Sequence, residues 1–335
     1  MRPSPPPPSA VDPTGRPRFG MYAGALPEVD LDRARVAGWP GPLGALRLKQ
    51  WAHWLVVTDD LALTVAVVDA VFTRLLWVQV IDRATGARFE HRREGPLVRA
   101  RLARSLWDEH SRGTGRGLSI AIHDHLDAAE HRLEAEARTL GLPEVDLDLR
   151  AACPPEIEPL AVVLPVGRGR AMYSHKVPLP VTGTVRVGPR RFEVSEGSAV
   201  LDVHKAHYPR ETFWRWATAV GRDARGRRIG LNLTENVVTD PELHENALWV
   251  DGRLSLLGPA AVSVGAEPWR ARSRSGAIDL RFEGEGERSE DLDYGVVLSR
   301  FRQRFGRFTG TVEIEGEAVE LLDGYGLMED HQARW

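Results

Sequence analysis

Cysteine is almost absent from this 335-residue chain, because Cys153 is the only one. A single thiol cannot form an internal disulfide or a thiolate metal cage, which favours a reduced, cytoplasmic location. An excess of positive charge is absent too: 44 Lys and Arg residues stand against 47 Asp and Glu residues, a net charge of −3. Nucleic-acid binders need a basic surface, so no nucleic-acid partner is expected.

A long uninterrupted hydrophobic run is also missing. The most apolar stretch, Leu61 to Ile81, carries Asp69, Arg74 and Gln79. Because a charge near the centre of a membrane helix costs about 2.5–3.5 kcal/mol, we predict two buried strands here and no transmembrane segment. The proline run within Met1 to Ala10 cannot form the apolar helix of a secretion signal, and it predicts a disordered, polyproline-II-like leader.

Common catalytic signatures do not occur: there is no Walker loop, no HExxH helix and no GxSxG nucleophile elbow. The glycine-rich segments 113–117 and 167–169 lack the strand and helix that flank a phosphate-binding loop, and both are predicted to be turns. The acidic segment Glu283 to Asp293 lacks the ligand order of a calcium loop and is predicted to be a solvated loop.

What the sequence does contain is apolar and polar alternation with a period of two, interrupted by turn residues. This pattern predicts an all-β fold of two antiparallel β modules, as barrels or a barrel plus a sandwich. The clearest local signal is Asp251-Gly252 between two apolar runs, because Asp-Gly favours a type I′ hairpin turn. Prolines around Cys153 suggest a boundary, so we predict a proline-rich lead-in (1–44), an N-terminal module (45–165) and a C-terminal module (166–335).

Two histidine-rich segments are candidates for metal binding: Asp202 to His207, and His123-Asp-His125. In a strand Asp202 and His204 share a face but His207 has the opposite parity, which disfavours a site there. His123-Asp-His125 is predicted to lie in a turn. We therefore assign no metal ligand and expect no cofactor.

The most informative segment is the C-terminal end, where alternation places one set of residues on a buried face. A carboxyl and an imidazole on such a face are costly unless they are paired or hydrated. One interpretation is a buried ion pair that locks the last strand; the other is a pair of polar anchors in a small-molecule pocket. The set comprises Tyr325, Leu327, Glu329, His331, Ala333 and Trp335.

Other polar residues stand next to bulky ones in the same half of the chain. Asp202, Asn232 and Glu245 are the further candidate anchors, while Trp214, Trp216 and Trp249 would supply apolar area. A mainly apolar pocket with a few polar groups is the usual composition of a small-molecule site.

The chain resembles the bacterial and fungal family known as domain of unknown function 2804, and nearly all of the likeness lies in residues 171–335. Lys176 and Gln303 fall in the matching segments and join the candidate ligand-binding residues. The resemblance implies a calycin-like, tandem lipocalin-type fold similar to carotenoid hydratases and tocopherol cyclases, but no catalytic residue. The matching segments are Tyr173-Ser-His-Lys176 with Pro178 and Gly183, Leu201-Asp202 through His207-Tyr-Pro209, Phe213 to Trp216, Gly230 to Asn236, Glu245 to Trp249, Trp269, Gln303 to Gly306, Glu329-Asp-His331 and Trp335, with Lys49-Gln-Trp51 in the first half.

Four hypotheses follow. The first is a protein that binds an apolar small molecule, such as a lipid or isoprenoid, in a pocket of the second module. The second is a hydratase or cyclase that protonates an alkene, with Glu329 or Asp202 as the acid and His331 as a proton relay. The third is a metal-dependent protein, and the fourth is a purely structural protein with no ligand.

Overall fold

The computed structural model describes residues 3–36, 41–265, 267–293, 295 and 297–334. The predicted all-β class is confirmed, whereas Trp335 of the C-terminal set lies outside the described residues. Short 3₁₀ helices cover Leu31–Arg33, Gly41–Arg47 and Leu126–Ala128. No helix in the described ranges has the length and apolar character that crossing a bilayer requires.

The strands run as follows in chain order: β1 Gly20–Ala23, β2 Lys49–Val57, β3 Leu61–Asp69, β4 Arg74–Asp82, β5 Arg88–Glu94, β6 Arg99–Arg101, β7 Glu109–Gly115, β8 Leu118–His125, β9 Glu130–Ala137, β10 Val145–Ala152, β11 Leu160–Pro165, β12 Ala171–Val187, β13 Arg190–Ala206, β14 Glu211–Arg222, β15 Arg228–Asn236, β16 Ala247–Val250, β17 Arg253–Leu256, β18 Ala261–Ser263, β19 Trp269–Arg272, β20 Ile278–Asp293, β21 Leu298–Ile314 and β22 Glu317–Arg334.

These strands form two antiparallel sheets, each curled into a half-barrel. The first has the order β5-β4-β3-β2-β13-β12-β10-β9-β8-β7-β6, with β11 attached to β12 and β1 attached to β11. It curls so far that β6 contacts β3 and β4. The second has the order β17-β16-β15-β14-β22-β21-β20-β19-β18, and β18 returns to contact β14 and β15.

The chain passes from the first sheet to the second between Ala206 and Glu211, because β12 and β13 hydrogen-bond into the first sheet. The proposed division into residues 1–44, 45–165 and 166–335 concerns modules and stays a prediction.

Alternation gives each central strand two buried faces. One face fills the interior of its own half-barrel, as Trp54 and Leu201 do in the first sheet and Leu231 and Met328 do in the second. The opposite faces of β2, β13, β14 and β22 meet in a third apolar cluster that joins the sheets. This cluster includes Leu55, Val200, Trp216, Val220, Phe305, Tyr325 and Leu327.

Two β-bulges decide which face of the C-terminal strands meets the first sheet. Pairing between β21 and β22 shifts at Phe308 and Gly310, so β22 carries one extra residue there. Val319 therefore faces the half-barrel interior before the bulge, whereas Tyr325 and Leu327 face the first sheet after it. A second bulge lies in β20 between Gly284 and Gly286. Phe282 faces the half-barrel interior before this bulge, whereas Arg288 faces the first sheet after it.

Several local predictions are wrong. The N-terminal leader is packed against the sheet: Ala10 and Val11 are buried, and Ser4 N donates to Met21 O at 3.0 Å. The acidic segment Glu283 to Asp293 is the second half of β20, because its backbone pairs with β21 and its exposed acidic side chains bond to arginines. Gly113 and Gly115 lie within β7, so the turn predicted for 113–117 is confined to residues 116–117, whereas the turn predicted at 167–169 is confirmed.

Other local predictions are confirmed. The apolar stretch from Leu61 forms the two buried strands β3 and β4. The hairpin at Asp251-Gly252 joins β16 to β17, and both turn residues have positive φ (48° and 86°), as a type I′ turn requires.

Gly252 allows a quantitative check of this hairpin. A Cβ at residue 252 would lie 2.9 Å from Ile157 Cγ1 and 3.0 Å from Glu156 O, whereas a Cβ at Gly276, with φ of 79°, meets no atom within 4 Å. We expect Gly276→Ala to lower the free energy of unfolding by about 1–2 kcal/mol through backbone strain alone. Gly252→Ala should lower it further, as measured by urea denaturation. Equal losses would contradict the packing of this turn against residues 156–157.

Candidate active site between the two sheets

A cavity of about 460 Å³ lies between the two sheets. This volume falls in the range of about 300–1,000 Å³ that is typical of small-molecule sites. The residues central to its walls are Trp51, His53, Trp77, Lys176, Asp202, His204 and Tyr208 from the first part of the chain, and Trp214, Trp216, Glu245, Arg288, Ser299, Phe301, Gln303, Glu329 and His331 from the second.

The sequence placed the pocket within the C-terminal module, but the half-barrel interior of the second sheet is filled by packed apolar side chains. The cavity is instead an inter-sheet space. Eight of the predicted site residues line it: Lys176, Asp202, Trp214, Trp216, Glu245, Gln303, Glu329 and His331.

The other two predicted residues lie behind the wall. Asn232 accepts a hydrogen bond from Trp216 Nε1 at 2.7 Å and donates one to the backbone oxygen of Glu245 at 2.6 Å, so it holds both wall residues in place. Trp249 packs in an apolar cluster and donates to Glu158 O at 2.6 Å.

Glu329 is a buried carboxyl at the aromatic end of the cavity, and only 6% of the residue is exposed. Trp214 Nε1 donates to its Oε1 at 2.5 Å, and Gln303 Nε2 donates to its Oε2 at 2.8 Å. Burial raises the pKa of Glu329 to about 7, because the two hydrogen bonds only partly offset the cost of desolvating a carboxylate. A substantial fraction of this side chain is therefore protonated at neutral pH.

His331 lies beside Glu329 but has different partners. Its Nε2 is 3.0 Å from Ser299 Oγ, and its ring meets the Trp214 ring edge-on at 4.2 Å between centroids. Burial lowers its pKa to about 3, so the imidazole is neutral at neutral pH. This geometry speaks against the mutual ion pair that was one interpretation of the C-terminal strand.

A buried ion pair forms the opposite side of the site. Lys176 Nζ lies 2.7 Å from Asp202 Oδ1 and 3.8 Å from Glu245 Oε2. Trp51 Nε1 donates to Asp202 Oδ2 at 3.2 Å. Burial pushes the pKa of Asp202 upward, but the Lys176 ammonium outweighs that effect and the net shift is downward. Asp202 is therefore ionised at neutral pH, where a substantial fraction of Glu329 is still protonated.

Aromatic rings cover the space between these two carboxyl groups. The rings of Trp51 and His204 are stacked, with centroids 4.0 Å apart. The ring centroid of Trp214 lies 5.8 Å from that of Trp51 and 5.8 Å from that of Tyr208. The Lys176 ammonium is 4.5 Å from the centroid of Trp216. Such ring faces attract positive charge, so the wall is suited to an apolar ligand on which positive charge develops.

Sequence reasoning missed several wall residues. Trp51 and His53 are two positions apart on β2, so their side chains lie on the same face of the strand. This alternation could have predicted that both residues line the same space. Tyr208 lies outside the strands, and Arg288 faces the cavity only because of the β20 bulge, so alternation predicted neither residue. The available signal for Tyr208 was its place in the family-matching segment His207-Tyr-Pro209.

The fold and this site define an all-β protein with a polar, aromatic-lined cavity between two half-barrels. The chain belongs to the family of domain of unknown function DUF2804, whose model matches residues 6–335. No curated protein matches the chain significantly.

Solved structures that resemble the chain include a hydratase and the protein CghA. Kievitone hydratase from Nectria haematococca has a TM-score of 0.51 at 11% sequence identity, with 84% of this chain and 88% of that chain covered. The protein CghA has a TM-score of 0.49 at 10% identity, with 92% and 97% covered. The first likeness shows that the fold is shared with a hydratase.

The raised pKa of Glu329 predicts a pH-dependent contribution to stability. The folded chain holds this proton up to about pH 7, whereas a carboxyl in the unfolded chain loses it near 4.5. The contribution is therefore fully present below pH 4.5 and is lost as the pH rises to about 7, by as much as about 3 kcal/mol. The free energy of unfolding of wild type minus that of Glu329→Gln should fall over this window in urea titrations.

Other titrating groups cancel in this difference, and the exposed variant Glu313→Gln, treated in the same way, is the control for the substitution itself. A flat profile for Glu329→Gln would contradict the protonated, buried state of Glu329.

Proposed function

We propose that this protein is an enzyme that protonates a carbon–carbon double bond of an apolar small molecule bound between the two sheets. The observation that carries the proposal is the buried Glu329 carboxyl, with a pKa of about 7, in an aromatic cavity. A general acid works best when its pKa is near the working pH, and this environment gives Glu329 that property. The likeness in fold to a hydratase agrees with this class of reaction.

The two candidate acids, Asp202 and Glu329, differ in protonation state because their neighbours differ. Asp202 is bonded to Lys176 and Trp51 and is ionised, so it cannot donate a proton to an alkene. Glu329 has only neutral hydrogen-bond donors, from Trp214 and Gln303. Two carboxyl groups with pKa values pushed in opposite directions are typical of acid–base sites. We assign the acid to Glu329 and electrostatic stabilisation of positive charge to Asp202.

In the proposed hydration, the Glu329 proton is transferred to one alkene carbon and positive charge develops on the other, against the rings of Trp51 and Trp214. Water then forms the C–O bond, and the proton it loses returns to the Glu329 carboxylate. In a cyclisation, a second double bond of the same molecule replaces water, and a carbon next to the new cation returns the proton. Both versions leave Glu329 protonated for the next turnover.

His331 has a smaller role than a proton relay. An imidazole with a pKa of about 3 does not carry an extra proton at neutral pH. Its Nδ1 is buried and has no hydrogen-bond partner within the described residues, so it can accept a hydrogen bond from a water molecule or from a polar group of the ligand. We assign it to positioning. The single cysteine favours a reducing, intracellular location for this reaction.

Glu329→Gln tests the proposal and separates catalysis from binding. The purified protein is incubated in heavy water with a panel of isoprenoid alcohols, including geraniol and farnesol, and products are identified by mass spectrometry. Hydration adds the mass of one heavy water, and cyclisation gives an isomer with exchanged deuterium. We expect Glu329→Gln to reduce turnover at least about 100-fold, since general acids contribute about 10²–10⁴-fold.

Binding is followed separately by the change in tryptophan emission, because four tryptophans line the cavity. Glu329→Gln should bind the isoprenoid alcohols as wild type does. Glu313→Gln should keep both binding and turnover. Unchanged turnover in Glu329→Gln would remove the assignment of the acid. Binding without turnover in wild type would leave only the binding function that the sequence analysis placed first.

A further inference from the structure

Three histidines lie together on the outer face of the first sheet, on strands other than those that line the cavity. His110 is on β7, and His123 and His125 are on β8. The sequence predicted a turn at 123–125, but these residues end a strand that pairs with β7 and β9. His110 pairs directly with His123, and His125 follows two residues later on the same face. The intervening Asp124 points into the half-barrel interior, where it is bonded to His131.

The spacing of these histidines matches a metal site. One ring nitrogen from each of the three lies within 4.8 Å of the others. Imidazole nitrogens bound to tetrahedral zinc lie about 2.0–2.1 Å from the ion and therefore about 3.4 Å from one another. The ring centroids of His110 and His123 are already 4.7 Å apart, so small side-chain rotations would bring the three nitrogens to that distance.

Carboxylates stand behind two of the rings. Glu134 Oε2 lies 2.9 Å from His123 Nε2, and Asp108 Oδ1 lies 3.4 Å from His125 Nδ1. Histidines that bind metals commonly donate their other ring N–H to a carboxylate, which fixes the ring and makes the binding nitrogen more basic. In both rings this contact leaves the other nitrogen for a metal.

The ring of His110, the third of the cluster, also has a nitrogen that is free to bind a metal. His110 Nδ1 is buried and has no hydrogen-bond partner in the described ranges of the chain. Arg132, the cation that pairs across from His123, is itself bonded to Asp148 and Glu134.

We propose that His110, His123 and His125 bind one divalent transition-metal ion such as Zn²⁺. Three imidazole ligands suit zinc and neighbouring transition metals, whereas Mg²⁺ and Ca²⁺ prefer oxygen ligands. Three protein ligands leave a fourth position for water or an external ligand. The site shares no residue with the inter-sheet cavity, and the proposal stands or falls independently of the proposed catalysis.

Zinc binding by the full chain tests this proposal. Protein treated with a chelator and dialysed is titrated with Zn²⁺ in competition with a chromophoric chelator, and Co²⁺ absorption reports nitrogen ligation in a parallel titration. We expect one Zn²⁺ per chain, with affinity at least about 100-fold weaker in His123→Gln and in His125→Gln. His244→Gln, which removes a histidine remote in sequence and outside the cluster, should bind as wild type does.

Circular dichroism establishes that each variant is folded, and the two cluster variants serve as independent tests of the same site. Wild-type protein that binds no Zn²⁺ at micromolar concentration would overturn the proposal. Equal zinc affinity in wild type and both cluster variants would also overturn it.

Glu134 offers a finer test of the same site. As a residue that orients His123, it should act through the ring rather than through direct ligation. Glu134→Gln is expected to weaken Zn²⁺ binding by about 10- to 100-fold. Glu136→Gln, an exposed carboxyl on the same strand, should leave the affinity unchanged. Equal affinities in the two variants would show that the carboxylate does not support the His123 ring.

Discussion

The packing of β14 and β22 against β2 and β13 is the constraint on which the site depends. Each of these strands already uses one face to fill its own half-barrel, so the sheets must meet through the opposite faces. Apolar residues such as Leu55 and Leu327 hold this contact together at one end. Towards the other end the same faces carry Asp202, Glu329 and His331, and there the sheets enclose the cavity.

Placing polar groups between two sheets removes them from water, and their partners then decide their charge. Asp202 has Lys176 beside it and stays ionised, whereas Glu329 has only neutral donors and holds its proton. The two carboxyl groups belong to the same cavity, so their different states follow from their immediate neighbours and not from burial alone. This division of charge is what makes acid catalysis the function that the site supports best.

The first sheet presents a second chemical surface that the cavity does not use. Its outer face gathers imidazoles from β7 and β8 because cross-strand pairing and a period of two bring His110, His123 and His125 together. In the cavity the histidines are deeply buried and neutral, as His331 is, whereas these three are half-buried and reachable from solvent. The two candidate sites therefore differ in their proposed chemistry, which is proton transfer between the sheets and metal binding on the outer face.

The sequence by itself determined the β class, the hairpin at Asp251-Gly252 and the fact that Glu329 and His331 share a face with Tyr325 and Leu327, because alternation and turn chemistry are local properties. It could not determine which space that face borders. The bulge in β22 turns Tyr325 and Leu327 towards the first sheet, and the bulge in β20 brings Arg288 to the cavity. Only the tertiary structure decided that the pocket lies between the sheets, that Asp202 is paired and Glu329 is not, and that three histidines converge. Each of these depends on contacts between strands that are distant in the chain, and strand periodicity carries no information about which strands become neighbours.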